Sequence, residues 1–450
     1  MVVGGGGPDV TPGGGVLTGG RARVTALLGA LAMVASACSG AADQGQGLNT
    51  QLHGQEIEVV AVWSGEEQAS FEQVLRRFEN RTGAKVRFTS TGRNIATELD
   101  RRLRASDAPD VAVLPQPGLL GELVSRRELE PVEAVAGTLV DENYAPVWRE
   151  LGSVDGILYG VWFKAANKST VWYRTKAFFD VGVAPPKTWQ KLQDVSRRLD
   201  QKGITPLAVG AGDGWTLTDW FENVYLRTAG PARYDQLANR RIPWTDDSVR
   251  EALRTLGQVL GRPEWLLGGA EGALATSFEG SVVQTFGQPA MAAMTFEGSF
   301  VAANIAKETR AEVGTDARFF EFPSINESEP SVIFGGDVAA LLKDNEASRE
   351  LIRFLATPEA AEPWAEAGGF ISPNRSVDPA AYPDLTTRQL ARALNHPGVV
   401  RFDLSDLVPA SFGATDDQGM WKILQDWLEN PADVDATAAQ LEAAAAAAQP

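Results

Sequence analysis

The sequence predicts an α/β protein built on doubly wound sheets with two domains. Strand and helix patterns alternate along residues 56–125, which is the order of a parallel sheet covered by helices. The third strand, 110–114, is apolar almost throughout, as in a strand covered on both faces. A second α/β unit begins after a polar break near 164–168, and 450 residues are enough for two domains.

The elements of the first unit follow from the period of their apolar residues. Alternating or continuous apolar runs predict strands, and apolar residues three and four positions apart predict helices. Phe71, Val74, Leu75 and Phe78, for example, share one face of the first helix. The predicted strands are 56–63, 85–89 and 110–114, and the predicted helices are 66–80, 95–105 and 119–125.

The second unit starts with the apolar run 159–173, which polar residues interrupt in the middle. The same criteria then apply as far as the alanine-rich tail. The predicted strands are 204–209, 290–296, 319–323 and 331–342, and the predicted helices are 189–201, 217–229, 346–356, 358–367 and a tail helix from 436.

The stretch 212–228 carries the strongest functional signal in the chain. Asp213 and Trp215 stand in a glycine-containing loop before a helix for which Thr216 is the predicted N-cap and Asp219 its capping partner. A carboxylate accepts hydrogen bonds from two hydroxyls, and an indole offers a flat apolar face, so this loop suits a sugar. The alternative is that Trp215 packs on Trp220 as a hydrophobic staple and that Asp219 is only a cap.

The N-terminus predicts export and a lipid anchor. Arg21 and Arg23 precede the apolar run 24–35, which is too short to span a bilayer, and Ala35-Ser-Ala-Cys38 follows. We expect a signal peptide over 1–37, lipidation of Cys38 and a flexible tether over 38–54, which would hold the protein on the outer face of the cytoplasmic membrane. The alternative for Cys38, the only cysteine in the sequence, is an ordinary buried thiol.

Composition and motifs argue against several classes of function. A net charge of −17 argues against nucleic acid as a partner. The first helix lacks a Gly-x-Gly-x-x-Gly opening, which argues against a dinucleotide. With only two histidines and no sequence motif of a metal site or catalytic centre, we expect no cofactor, no metal and no enzymatic activity.

The chain resembles the solute-binding lipoproteins of bacterial carbohydrate ABC importers, and among them the α-glucoside-binding branch related to maltose-binding proteins. No single motif is specific, but the order and spacing of the motifs are. They span most of the mature chain and lie at 108–118, 155–160, 168–173, 186–189, 218–222, 335–337, 368–373 and 401–406.

The resemblance implies a type II periplasmic-binding-protein fold, in which two lobes close on a ligand around a hinge. It also implies a monomer that captures a carbohydrate, most simply an α-glucoside or another di- or oligosaccharide, and delivers it to the permease subunits of an ABC importer. The boundaries would be 55–163 plus 300–334 for lobe one, 169–294 plus 338–450 for lobe two, and hinge crossings near 164–168, 295–299 and 335–337.

The candidate ligand-binding residues come from three places. Residues at strand ends lie where α/β sheets bind ligands, and residues at the hinge crossings would line the cleft. The resemblance adds aromatic and polar positions, including Asn167 where maltodextrin binders have an acid. The full set is Trp63, Glu66, Arg93, Gln116, Lys164, Asn167, Asp213, Trp215, Asp219, Glu297, Phe300, Asp337, Phe370 and Trp421.

Two other classes of function stay open at this point. A secreted glycoside hydrolase would need paired carboxylates, for which Asp213, Asp219, Glu297 and Asp337 are available. A structural surface lipoprotein would leave the aromatic and acidic residues at the strand ends unexplained. The other prediction about aromatic residues is that Trp148, Trp189, Trp220, Trp244 and Trp427 pack in the core.

Overall fold

The computed structural model describes residues 52–92, 95–394 and 399–448. The predicted leader 1–37, Cys38, nearly all of the tether and Arg93 lie outside these residues. The strands, in chain order, are β1 (Glu56–Ala61), β2 (Lys85–Ser90), β3 (Val111–Leu114), β4 (Ser153–Val154), β5 (Ile157–Leu158), β6 (Gly160–Asn167), β7 (Thr170–Arg174), β8 (Thr205–Leu207), β9 (Ala292–Glu297), β10 (Ala317–Glu321), β11 (Ser331–Leu341) and β12 (Val399–Phe402).

The helices form around these strands where the predicted apolar periodicity places them. In chain order they are α1 (Gly65–Thr82), α2 (Ile95–Arg104), α3 (Pro117–Ser125), α4 (Glu133–Asn143), α5 (Pro146–Leu151), α6 (Thr175–Val181), α7 (Trp189–Asp200), α8 (Trp215–Ala229), α9 (Pro231–Ala238), α10 (Asp247–Gly257), α11 (Gly269–Leu274), α12 (Phe278–Phe286), α13 (Val301–Glu308), α14 (Glu346–Leu355), α15 (Pro358–Ala367), α16 (Leu385–Ala393), α17 (Leu404–Leu407), α18 (Ala410–Gly413), α19 (Gly419–Glu429) and α20 (Val434–Ala447).

The larger sheet has the order β12-β11-β3-β1-β2, and β6 also pairs with β11. β1 runs parallel to β2 and β3, as the alternating pattern predicts, whereas β11 runs antiparallel to β3 and β6. The sheet is therefore mixed. Its register shifts between Asp337 and Val338, a bulge that redirects the strand at one of the predicted hinge crossings.

The smaller sheet has the order β10-β7-β9-β8. The polar interruption in the run 159–173 is where the chain leaves the larger sheet through β6 and enters the smaller one through β7. Ser299 and Asn167 tie two predicted crossings together, since the Ser299 N–H donates to the Asn167 carbonyl at 2.8 Å and Ser299 Oγ accepts from the Asn167 N–H at 3.2 Å.

Two segments lie with a different sheet from the one the sequence predicts. Within 300–334, assigned to lobe one, β10 pairs with β7 in the smaller sheet. Within 338–450, assigned to lobe two, α14 and α15 join the core of the larger sheet through side chains such as Leu351 and Trp364. β10 thus lies with the sheet expected for lobe two, and α14 and α15 lie with the sheet expected for lobe one. The sequence patterns did not show this, because these contacts join segments that are far apart in the chain. The rest of the lobe division stays a prediction.

The start of α8 also differs from the prediction. Its N-cap is Gly214, with φ 73°, a conformation that glycine adopts without strain. Thr216 is not the cap, because its Oγ1 donates to the Gly210 carbonyl at 2.8 Å. Asp219 is not a capping residue either, since it is completely buried on the inner side of the helix.

The tryptophans predicted to be core residues are all buried. Trp220 packs edge-on against Trp189 and Phe322, with ring centroids 6.5 and 5.6 Å away. The remaining three of this set are buried as well, namely Trp148, Trp244 and Trp427.

Candidate functional site

Lys168 stands at the centre of the candidate site, in the turn that joins β6 to β7. Its ammonium nitrogen lies 3.3 Å from Oδ1 of Asp219, contacts Oδ2 of Asp403 and lies 3.9 Å from Oδ2 of Asp406. Asp219 comes from the buried face of α8, whereas Asp403 is the N-cap of α17 and Asp406 lies within that helix. Three segments distant in sequence therefore meet on one lysine.

Glu222 lies one turn after Asp219 on α8 and points the same way. Its two carboxylate oxygens accept hydrogen bonds from the N–H groups of Leu404 and Ser405, at 2.7 and 2.9 Å. Oxygens of Asp219, Glu222 and Asp403 come within 4.8 Å of one another, the spacing of a metal site. We assign no metal here, because backbone donors already occupy Glu222 and the Lys168 ammonium group supplies the positive charge.

The carboxylates differ in their electrostatics. Burial by itself would lower the pKa of Lys168, but the three surrounding acids outweigh this and raise the pKa well above its ordinary value. Burial raises the pKa of Asp219, Glu297 and several of their neighbours well above the ordinary value. Burial alone would do the same to Asp403, but Lys168 overcomes it and lowers the pKa of that group. The lysine thus favours the ionised form of Asp403.

Several candidate residues carry a buried polar atom without a hydrogen-bond partner among the described residues. In Asp219 the atom is Oδ2, and in Glu297 it is Oε2. Such atoms are uncommon in folded proteins because each costs desolvation energy, so a group of them indicates a place for a ligand. Gln116 Oε1 and Trp421 Nε1 are also buried without a hydrogen-bond partner among the described residues.

Three aromatic rings stand beside the lysine. Trp215 at the start of α8 lies 5.4 Å from Phe278 at the start of α12 and 6.0 Å from Phe300, which follows β9. Phe278 and Phe300 are 5.2 Å apart, so each ring contacts both others. The Lys168 ammonium group lies 5.6 Å from the centre of the Trp215 ring. Trp215 and Phe300 are only half-buried and offer an apolar surface next to the carboxylates.

A second group of candidates surrounds Lys164 on β6. Its ammonium group pairs with Glu67 of α1 and lies 5.7 Å from the ring of Trp63 and 5.3 Å from that of Trp364. Asp337 faces Lys164 across the pairing of β6 with β11. Burial raises the pKa of Asp337 to about 6, although the charge of Lys164 opposes this shift.

The structure thus brings most of the predicted residues into two adjoining groups. Asp219, Trp215, Glu297 and Phe300 gather near Lys168, and Trp63 and Asp337 gather near Lys164. The two groups adjoin, because the Asp337 carboxylate also interacts with the charges of Lys168 and Asp406. Gln116 interacts with Asp406, and Trp421 packs against the backbone of Gly214.

Four predicted residues have different surroundings from those expected. Glu66 is exposed, and its neighbour Glu67 contacts Lys164 instead. Phe370 is 1% exposed and stacks on Trp364 in the core of the larger sheet. Asn167 uses its Oδ1 to accept from the Ser169 N–H at 2.9 Å, within its own turn. Asp213 accepts a hydrogen bond from the Phe278 N–H.

Sequence reasoning missed seven residues of these groups, namely Glu67, Lys168, Glu222, Phe278, Trp364, Asp403 and Asp406. Glu67 could have been found from helical spacing. It lies four residues before Phe71 and seven before Val74, which places it on the same face of α1 as these buried residues, whereas the spacing of Glu66 places it on another face. Lys168, Asp403 and Asp406 stand in motifs that carried the family resemblance, but their burial together depends on contacts between distant segments. Phe278 gave no signal beyond its place at the start of an apolar helix.

A larger cavity lies elsewhere, and no predicted site residue lines it. It measures 470 Å³ and lies beside α4 and α5, with Tyr144, Arg149 and Arg375 in its wall. At the candidate site, the small cavity lined by Lys164, Phe300 and other residues measures only 10 Å³, close to the space of one water molecule.

The fold is that of a type II periplasmic binding protein. One solved structure with this fold is that of the bacterial solute receptor AcbH, which has an exclusive preference for β-D-galactopyranose. The TM-score is 0.76 at 20% sequence identity, over 87% of this chain and 99% of the receptor. At this identity the likeness concerns the fold alone.

Sequence comparison identifies the family. Residues 63–362 match the bacterial extracellular solute-binding protein family, and the chain belongs to that family. It is 35% identical to the osmoprotective compounds-binding protein GgtB of Synechocystis sp. over 87% of this chain and 92% of the relative. It is 31% identical to the alpha-glucosides-binding periplasmic protein AglE of Rhizobium meliloti over 86% of each chain. Within the described residues, no helix is both long and apolar enough to cross a membrane.

Proposed function

We propose that this protein captures a neutral carbohydrate outside the cell, most simply an α-glucoside, and delivers it to the permease subunits of an ABC importer. Membership of the extracellular solute-binding family supports the capture step. The choice of an α-glucoside is supported by the similarity to a relative that binds alpha-glucosides. The chain is also similar to a relative that binds osmoprotective compounds, so such compounds belong in the binding test as well.

The observation that carries this proposal is the pairing of Trp215 with Asp219. The half-buried indole of Trp215 and the fully buried carboxylate of Asp219 both lie next to the Lys168 ammonium group. One oxygen of that carboxylate has no hydrogen-bond donor within the described part of the chain. A sugar ring has an apolar C–H face and a rim of hydroxyl donors, so it complements both groups at once. Glu297 Oε2 and Gln116 Oε1 offer further acceptors for hydroxyl groups.

We further propose that the ligand is bound and released without chemical change. A glycoside hydrolase needs one carboxyl group as an acid and another as a nucleophile or base on either side of the bond. Of the four acids available for such roles, Asp213 accepts from the Phe278 N–H and Asp337 faces Lys164, so both already have partners within the fold. The family is one of solute-binding proteins, which also favours binding over catalysis.

The proposal includes the lipid anchor at Cys38 and a location on the outer face of the cytoplasmic membrane. It is supported by the order of two arginines, an apolar run and Ala-Ser-Ala-Cys at 35–38. Replacement of Cys38 by alanine is expected to release the protein from membranes or to leave its leader uncleaved. Unchanged processing and membrane retention would contradict this part of the proposal alone.

The test of the binding function is a thermal-shift screen of the purified protein, followed by calorimetric titration. Maltose, trehalose and sucrose represent α-glucosides, with cellobiose and free galactose as comparison sugars. At least one α-glucoside should raise the melting temperature and bind more tightly than cellobiose. The titrated sample is then analysed for hydrolysis products. Absence of binding to any carbohydrate would refute the proposal, and turnover would favour the hydrolase instead.

A further inference from the structure

The two oxygens of Asp219 have different surroundings. Oδ1 lies 3.3 Å from the ammonium nitrogen of Lys168, whereas Oδ2 is buried without a hydrogen-bond donor in the described residues. The neighbouring acids Asp403 and Glu297 can donate to Asp219 only when they are protonated. The whole side chain is inaccessible to solvent. A carboxylate fixed by one oxygen can present the other in a defined direction, which is what hydrogen bonding to a hydroxyl requires.

We propose that Lys168 is a positioning residue for ligand recognition: its ammonium group fixes Asp219 by one oxygen and leaves the other oxygen to accept from a ligand hydroxyl. The inference rests on the proposed function, because it assumes a hydroxyl-bearing ligand. Lys168 was not among the residues that the sequence predicts to bind the ligand. Its role is indirect, since Asp219 makes the contact.

The surroundings of Lys168 hold its ammonium group in one place. Asp403 and Asp406 bind it from α17, and the Trp215 ring lies beside it. Its backbone carbonyl accepts from the Asn223 side chain at 2.8 Å, which ties the lysine to the same helix as Asp219. A buried ammonium group bound on several sides orients its partners without having to reorganise when a ligand arrives.

Gly335 keeps the path of this lysine open. A Cβ atom at Gly335 would lie 3.0 Å from Cε and 3.3 Å from Cδ of Lys168. Any side chain there would push against the aliphatic stem of the lysine. The glycine at this position of β11 is therefore explained by the passage of Lys168 toward Asp219.

The role of Lys168 also predicts how binding depends on pH. Burial raises the pKa of Asp219, and Lys168 opposes that effect, so removing Lys168 raises the pKa further. Since the ionised carboxylate is the better acceptor, the pH at which affinity is half-maximal should move upward in a variant without the ammonium group. The charged and titratable groups that face Asp219 are Lys168, Glu222, Glu297, Asp403 and Asp406.

The experiment compares Lys168→Ala and Lys168→Met with the wild-type protein, using the α-glucoside that wild type binds best. Both variants should bind at least about tenfold more weakly at pH 7, with the pH midpoint shifted upward. Added ethylammonium chloride should restore affinity to Lys168→Ala, which has room for it, and not to Lys168→Met. Lys176→Ala, at an exposed lysine of α6, is the control and should bind as wild type does.

Each result has one meaning. A purely structural lysine would lower the melting temperature and leave the affinity and pH midpoint of the folded variants unchanged, which would overturn the inference. Failure of ethylammonium to restore any affinity in a folded Lys168→Ala protein would overturn it as well. If neither variant folds, Asp219→Ala decides, because unchanged affinity in a variant without the acceptor would overturn the inference. A wild-type protein that binds no carbohydrate would refute the proposed function itself.

Discussion

Asp213 Oδ2 accepts a hydrogen bond from the backbone N–H of Phe278 at a distance of 2.6 Å. This bond joins the loop before α8 to the first turn of α12, and it places the Phe278 ring against Trp215. Asp213 therefore orders the aromatic group, in addition to any contact with the ligand that its place in the loop predicts. A carboxylate at the start of a helix also interacts favourably with the helix dipole.

Replacing Asp213 should therefore affect stability as well as binding. Asp213→Ala should lower the free energy of unfolding by about 1–2 kcal/mol, the usual cost of losing a bond at a helix N-terminus. Asp213→Asn retains an acceptor oxygen and should cost less. Urea denaturation of the three proteins measures the difference. Equal stability of Asp213→Ala and wild type would show that the bond to Phe278 contributes nothing.

Trp215 should contribute mainly to ligand binding. Its ring contacts are with Phe278 and Phe300, whereas Trp220 packs elsewhere, so the alternative of a staple between Trp215 and Trp220 has no support in the ring contacts. Trp215→Ala should weaken carbohydrate binding by about tenfold or more through lost stacking area. Calorimetric titration gives the affinity, and a thermal melt of the same sample gives the stability.

The control for Trp215 is Phe179→Ala, because Phe179 on α6 is 84% exposed and lies outside both groups of candidate residues. It should leave both affinity and melting temperature nearly unchanged. A destabilised Trp215→Ala protein that binds with wild-type affinity would assign Trp215 to packing alone.

Most strands and helices could be predicted because they depend on local patterns. β1, α1, β2, α2 and β3 lie within a few residues of their predicted positions. Apolar periodicity depends only on residues close together in the sequence, so it can be recognised without knowledge of the fold. The pairing of β10 with β7 depends on segments far apart in the chain, and the sequence therefore assigned β10 to the other lobe.

The candidate site was predictable in its residue types and less so in its contacts. Asp213 and Trp215 were identified because an acid and an aromatic ring in a glycine-containing loop suit a sugar, whereas Asp219 was predicted both as a capping residue and as a ligand contact. Lys168 was missed because lysines are mostly exposed, and only the fold shows that three acids surround this one. Glu66 was chosen instead of Glu67 because the helical face was not used to decide between two adjacent acids.

Glu58 on β1 should make the stability of the larger sheet depend on pH. Burial alone would raise the pKa of Glu58, but hydrogen bonds from Arg102 and Thr89 and the charge of Arg87 lower it to about 2 from an ordinary 4.5. Arg102 is as buried as its partner and donates twice to the carboxylate. The ionised form of Glu58 is therefore the one that the folded protein favours.

Because the folded-state pKa is lowered, Glu58 contributes its stability at pH values above 4.5 and loses it as the pH falls through about 2. The difference corresponds to about 3 kcal/mol. Glu58→Gln should remove this part of the acid dependence, and it should destabilise the protein at pH 7 because it leaves the buried Arg102 with only the exposed Asp107 as a charged partner. Urea denaturation from pH 7 down to pH 2 tests both expectations. An identical acid profile in the variant would exclude Glu58 as its source.

Ser169 should stabilise the region in which the chain crosses between the sheets. Its hydroxyl donates to Asn223 Oδ1 at 2.6 Å and accepts from the Ile333 N–H at 2.9 Å, and the residue is completely buried. Ser169→Ala leaves the Ile333 N–H without this acceptor, so it should cost about 1–3 kcal/mol. Denaturation measures the loss. Ser328→Ala, at a partly buried serine of a surface turn, is the control and should cost less.

The last prediction concerns closure of the two lobes on the ligand. β6 and β7 belong to different sheets and are joined only by the turn that contains Lys168, so a small rotation there would move one sheet relative to the other. The candidate ligand contacts come from both sides of this turn, with Trp63 and Lys164 on the larger sheet and Asp219 and Trp215 on α8. A ligand that contacts both sides stabilises the closed arrangement by the difference in its affinity for the two states. Small-angle scattering should therefore give a smaller radius of gyration at saturating ligand than without ligand. Lys168→Ala, which is expected to bind weakly, serves as the matched control at the same sugar concentration. Tight binding by wild type with no change in the radius of gyration would contradict hinge closure and would leave the binding site itself unaffected.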